Sequence, residues 1–245
     1  MQIAVVTGAS SGIGEATARE LARRGWTCVL LARREDRLRV LAEAIGGEYE
    51  VCDVSDRAKV DAVASRVRER HPRITLLMNN AGVPARSNFL EGDPDRIEQV
   101  MRTNYLGGVW CLRAFLPALE AGAPSHVVNV VSVAGTVALP PSGPYSASKH
   151  AQLAFSRATS SPLRRRGISV HTVNPGFVET EGFPQRTVRR NAILRRAVIE
   201  PEEVAVHIVK LLARGPSETT IPRSYRVVGL AQTLAPNVVA RLLSR

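Results

Sequence analysis

Lysine is scarce in this chain of 245 residues: only Lys59, Lys149 and Lys210 occur, although lysine and arginine together number 33. The other basic residues are arginines, spread through almost every helical pattern, and they carry the formal net charge to +11. Aromatic residues make up only 4%. With no aromatic platform interleaved among the arginines and no recognised nucleic-acid motif, the basic balance reads as a solvated surface, and no nucleic-acid partner is expected. Three isolated cysteines in apolar segments, Cys28, Cys52 and Cys111, cannot build a disulfide framework and suit small buried side chains in a reducing compartment. No His, Cys and carboxylate cluster has ligand spacing, so no metal is expected. No apolar stretch approaches membrane-spanning length, and Met1 leads straight into the first apolar run without a charged leader, so a cytoplasmic location is expected.

What the chain does have is alternation. Strands are expected at residues 2–7, 27–32, 48–52, 74–78, 126–132 and 168–173, with helical patterns between them, which implies an α/β doubly wound parallel sheet in a three-layer sandwich. No linker, repeat or low-complexity tract interrupts it, and 1–245 is read as one domain with a 44% hydrophobic content sufficient for a sizeable core. At the start, IAVVT runs into Gly8-Ala-Ser-Ser-Gly12-Ile13-Gly14 and then into EATARELARRG. Glycines allow a tight turn and close backbone approach, while the helix start favours a pyrophosphate.

A second constellation carries the chemistry. Ser132 ends the apolar run HVVNVVS, and Tyr145 and Lys149 sit four apart in YSASKHAQLAFSRAT, a helical pattern over residues 145–159. Strand-end and helix-start residues can converge, supplying a hydroxyl to polarise a carbonyl, a phenol to move a proton and a cation to tune that phenol. Each residue alone has a duller explanation as a strand end, a surface aromatic or a solvated charge; one reaction gives all three a different necessary role.

Four further segments complete a pattern: Asn79-Asn80-Ala81-Gly82, Asn104 in MRTNYLGG, Ser132-Val-Ala-Gly135 ahead of Tyr145 and Lys149, and Asn174-Pro175-Gly176 with Thr180 downstream. With these motifs in this order the chain resembles the short-chain dehydrogenase/reductase family over nearly its whole length. The resemblance implies a Rossmann-type fold and a dinucleotide held by Gly8, Ser10, Ser11, Gly12, Ile13 and Gly14. It also implies Asp53 and Val54 at the adenine, Asn80, Ala81 and Gly82 beside a ribose, and Pro175, Gly176, Val178 and Thr180 against the nicotinamide. Lys149 would bond the nicotinamide ribose, and Asn104 would position a relay water. Asp53 could equally be the N-cap of the following helix. His171, inside a strand pattern, reads as a packing residue.

Cofactor choice turns on Arg33 and Arg34, at the end of the second strand, where an arginine pairs with the 2′-phosphate of NADP and an acid would favour NAD. Glu35 and Asp36 are expected in the first turn of the next helix. NADP(H) is therefore preferred over NAD(H), and the expected reaction interconverts a ketone or aldehyde and an alcohol. Two alternatives stay open, a 3-oxoacyl-thioester reductase of the same family and a non-catalytic dinucleotide-binding regulator. Residues 180–200 correspond by resemblance to a substrate lid, here with Phe183, Val188, Ile193 and Leu194 among Arg186, Arg189, Arg190, Arg195 and Arg196. Pro162 is expected to kink the long helix or end it early. Residues 221–245 form a tail with helical spacing broken at Pro236; it would cover the pocket or pack on a partner in a homodimer or homotetramer, membrane-surface contact being the less favoured alternative.

Overall fold

Short runs of Val, Ile and Leu that are apolar on both faces need cover from both sides. The computed structural model, which describes residues 1–85, 87–185, 198–214 and 217–243, provides it. Strands β1 (Ile3–Thr7), β2 (Thr27–Ala32), β3 (Glu48–Val51), β4 (Leu76–Asn79), β5 (Ser125–Val130), β6 (Ile168–Pro175) and β7 (Glu218–Ile221) form one parallel sheet in the order β3-β2-β1-β4-β5-β6-β7. On one face, helices α1 (Gly12–Arg23), α2 (Glu35–Ile45) and α7 (Pro201–Arg214) pack Leu21, Leu38, Val204 and Ile208 against Val6, Leu30 and Val128. On the other face, α3 (Arg57–Arg70), α5 (Gly107–Ala121) and α6 (Gly143–Arg164) bury Val60, Val63, Phe115 and Leu163 against Val5, Leu77 and Val127. The helix α4 (Pro94–Met101) leads through a π-turn at Arg102–Leu106 into α5. After β7 come α8 (Arg226–Leu234) and α9 (Pro236–Leu243), divided where Pro236 was expected to divide them.

The six expected strands are all present within two or three residues, and β7 is added at the sheet edge. Its sequence, ETTI, is short and polar and lacks an apolar pattern. Pro162 does not itself end the helix, because α6 runs through it to Arg164. At two residues from the helix end the missing donor removes only one bond of the last turn, so the helix is not cut short. The three cysteines are buried and free. Among the described residues no helix is long and apolar enough to cross a membrane.

The chain passes from β1 to β2 on one side of the sheet and later crosses to β4 on the other side of β1, pairing Val6 with Leu30 and with Met78. Such a reversal opens a crevice at the carboxyl ends of the strands. Behind it, a buried polar chain ties α6 to the sheet. Asn79 Nδ2 donates to Asn129 Oδ1 at 2.9 Å, Asn129 Nδ2 donates to Ser156 Oγ at 2.8 Å, and Ser156 Oγ lies 2.7 Å from Thr172 Oγ1. Removing one member strands a buried amide, at a cost of about 1–3 kcal/mol. Ser156→Ala should therefore lower the urea unfolding midpoint without changing the slope of the transition, and an unaltered midpoint would show that this chain does not fasten α6.

Candidate active site

The glycine turn is built for close approach. Gly8 (φ +65°) and Gly12 (φ +58°) both take left-handed backbone conformations, and a Cβ on Gly12 would lie 2.9 Å from Thr180 Cγ2. A Cβ on Gly14 would meet Gly8 O at 2.4 Å and Asn80 Nδ2 at 2.5 Å. Asn80 Nδ2 donates to Thr7 O at 3.0 Å and to Gly8 O at 3.2 Å, pinning the Asn80–Gly82 turn to the loop. Ser11 gives α1 no side-chain cap; its hydroxyl instead accepts from Arg34 Nη2 at 2.7 Å.

The proton-handling end lies across the crevice. β5 stops at Val130, so Ser132 lies two residues beyond the strand rather than at its end. There it caps a 3₁₀ turn at Val133–Gly135, its Oγ accepting from Ala134 N at 3.1 Å. Tyr145, in the first turn of α6, lines the same cavity as Ser132; burial pushes its phenol up to about 12, and the serine hydroxyl offsets part of that rise. Lys149 follows one turn later with only 3% of its surface exposed. Its Nζ donates to Val130 O at 3.0 Å and to Gln152 Oε1 at 2.7 Å, and lies 5.8 Å from the Tyr145 ring centroid. Burial pulls this amine down to about 7. Three expected residues, from the turn after β5 and from α6, are thus brought together.

Asn104 sits in the π-turn, 1% exposed. Its Oδ1 accepts from Val83 N at 2.8 Å, while Nδ2 donates to Val83 O and to Ser148 Oγ, each at 3.0 Å. The side chain is thereby spent on holding the turn after β4 against α6.

At the opposite end of the crevice the two arginines part company. Arg34 donates from Nη2 to both loop serines, at 3.0 Å to Ser10 Oγ and 2.7 Å to Ser11 Oγ. Its Nη1 donates to both carboxylate oxygens of Glu181 at 3.2 Å, and Arg37 binds the same carboxylate. Bonds from Arg37 and then Arg34 hold Glu181 below the usual carboxylate range. Arg33 instead faces Asp53, with Nη1 4.0 Å from Oδ2. Burial alone would raise the Asp53 carboxyl, but two bonds from Ser55 and the arginine charge leave it lowered. The N-cap of α3 is Asp56, not Asp53. Glu35 and Asp36 do occupy the first turn of α2. Arg37 and Glu181 were missed by sequence reasoning; Arg37 lies one helical turn beyond Arg34, a spacing that could have signalled it, whereas Glu181 is distant in sequence.

One cavity of about 440 Å³ joins both ends. It is lined by Gly8, Ser10, Ser11, Gly12 and Ile13, by Arg33, Arg34, Asp53 and Val54, and by Asn80, Ala81 and Gly82. Ser132, Tyr145, Lys149, Pro175, Gly176, Val178 and Thr180 complete it. Two expected residues stand behind the wall. Gly14 packs under Gly8, and Asn104 supports the Val83 turn. The Phe183 ring lies 5.3 Å from that of Tyr145, and Val178 pairs with Ile199 in an isolated parallel bridge. The basic residues expected in the lid, with Val188, Ile193 and Leu194, lie outside the described residues. Tyr225 packs edge-on to Phe177, and Gly229 abuts Thr136, so the start of the tail flanks the cavity.

The family model described as short chain dehydrogenase matches residues 2–190. The chain belongs to the short-chain dehydrogenase/reductase family. A putative ketoacyl reductase from Streptomyces coelicolor is 32% identical over 246 residues, covering 89% of this chain and 93% of its own. A short-chain dehydrogenase from Burkholderia cenocepacia in complex with NADP is 28% identical with a TM-score of 0.84, over 99% of each chain. A short-chain dehydrogenase/reductase from Burkholderia phymatum in complex with NAD is 27% identical with a TM-score of 0.84, over 97% of this chain and 94% of that one. Family membership makes this an oxidoreductase acting between CH–OH and C=O with a nicotinamide dinucleotide. The residues present fit such a group: a glycine cradle that side chains would fill, an arginine-lined anion site at one end and a phenol with a buried amine at the other. Because a methyl group at position 14 would collide with backbone, Gly14→Ala should lower Tm by at least about 3 °C. Thermal melting checks this, and an unshifted Tm would mean that the glycine loop yields to the added methyl group.

Proposed function

We propose that this chain is a cytoplasmic, NADP(H)-dependent reductase interconverting a ketone or aldehyde and an alcohol, with Tyr145 as the acid/base. The observation that carries the reading is the convergence of the Ser132 hydroxyl, the Tyr145 phenol and the buried Lys149 amine on one cavity that also contains the glycine turn. Bound nicotinamide supplies or accepts the hydride. Ser132 and Tyr145 hold the carbonyl oxygen between two hydroxyls, and Tyr145 gives its proton to the alkoxide as it forms. With the phenol pushed up to about 12, the proton-loaded form dominates near neutrality, which suits reduction. The reverse direction needs phenolate, and without further charge that costs on the order of 7 kcal/mol at pH 7. Lys149 in its ammonium form lowers this cost and holds the ribose of the cofactor.

Support for NADP comes from Arg34, whose guanidinium reaches both loop serine hydroxyls and binds an anion, the Glu181 carboxylate, whose place a phosphate would take. Asp53 and Val54 would meet the adenine, and Pro175, Gly176, Val178 and Thr180 the nicotinamide. Exposed Val227, Leu230 and Leu234 on α8 are apolar surface that a homodimer or homotetramer would cover. A second reading, reduction of a 3-oxoacyl thioester, is favoured by the Streptomyces relative. A panel of ketones, aldehydes and acyl thioesters, followed by loss of NADPH absorbance, separates the two.

Two outcomes are expected. Tyr145→Phe should lose turnover by three orders of magnitude or more, on the order of the full acid/base contribution, while its NADPH dissociation constant stays close to wild type. Retained turnover would remove Tyr145 from the mechanism. Arg34→Ala should raise the KM for NADPH roughly tenfold or more, with little change for NADH. Equal effects on both cofactors would contradict the phosphate assignment.

A further inference from the structure

Gln152 is a polar side chain with 2% of its surface exposed, on the inner face of α6. Its Oε1 accepts from Lys149 Nζ at 2.7 Å, the shorter of the two bonds that amine makes. Both acceptors are neutral carbonyl oxygens. Among the described residues no carboxylate lies within ion-pair distance of Lys149. On α6 the Tyr145 ring faces it, β5 presents the Val130 carbonyl, the turn after β4 presents Gly82, and the π-turn presents the Asn104 amide beside Gly82. A buried ammonium with no counter-ion depends on such dipoles for what water would otherwise supply.

We propose that Gln152 is a positioning residue of this site, whose side-chain carbonyl fixes Lys149 Nζ between β5 and the Tyr145 phenol and keeps its ammonium form available. The proposal rests on reading Lys149 as the cation beside the acid/base tyrosine. Two of the three ammonium protons are committed to Val130 and Gln152, so one is left to point toward the cavity. Gln152 thereby selects the direction in which the lysine offers its remaining bond. With an apolar residue at this position, Lys149 would lose its shorter bond and the charged form would become harder to hold.

The scarcity of lysine makes this directly measurable. Protein labelled with ¹³C at lysine Cε should give three resonances, from Lys59, Lys149 and Lys210, and Lys149→Arg identifies the buried one. In wild type that resonance should titrate with a midpoint near 7. Gln152→Met keeps the length of the side chain but removes the acceptor, and should move the midpoint down by about one unit or more, the worth of a hydrogen bond to a charged group. Gln152→Glu places an anion at the same point and should move it up. Shifts of opposite sign in the two variants, both with native circular dichroism, support the proposal. A midpoint unmoved in either folded variant would overturn it. Because the titration needs no substrate or cofactor, a protein inactive toward every carbonyl tested yet showing these shifts would refute the enzymatic reading and leave the role of Gln152 standing; turnover with unmoved midpoints would do the reverse.

Discussion

The interaction on which the site depends is a buried ammonium held by dipoles alone. Lys149 is enclosed, its amine faces two carbonyl oxygens and a tyrosine ring, and no opposite charge meets it among the described residues. Desolvation then brings the amine close to neutrality at physiological pH while it drives the neighbouring phenol the other way. Two groups whose free values are both near 10 are separated by their surroundings, one becoming easy to deprotonate and the other hard. That divergence is what lets one tyrosine keep its proton until a substrate oxygen needs it.

Much of the fold serves to keep that pair in place. The Asn79, Asn129, Ser156 and Thr172 chain ties α6 to the strands beneath it, and Asn104 ties the turn after β4 to Ser148 on the same helix. Each bond is buried, so losing its partner costs more than the bond contributes. At the other end, the left-handed glycines bring backbone to the cavity wall, and Arg34 gathers Ser10, Ser11 and Glu181 around one guanidinium. A carboxylate from the segment after Thr180 therefore occupies the arginine pair that an anionic cofactor group would seek.

The parts legible in the sequence were those written in local pattern. IAVVT followed by a glycine turn and an amphipathic helix can hardly fold otherwise, and the spacing of Tyr145 and Lys149 needs only helical geometry to bring them to one face. What escaped depended on tertiary packing. β7 is four residues at a sheet edge and has no periodicity to read. Pro162 looked like a helix breaker because its distance from the helix end is not encoded locally. Arg33 and Arg34 are adjacent and chemically identical; neighbouring side chains of extended backbone point to opposite sides, and here one meets the serines and the other Asp53. Gln152 is one polar residue among several in a helical pattern, and its burial is set by packing that the pattern does not encode.

The central claim is that Ser132 and Lys149 act through the same phenol, and the most direct test is a double-mutant cycle on kcat/KM for carbonyl reduction with NADPH, using Ser132→Ala, Lys149→Met and the double variant. If both work through Tyr145, the double variant will be little worse than the poorer single one. Losses that simply multiply would mean the two residues contribute independently, and the account of a single tuned proton donor would be wrong.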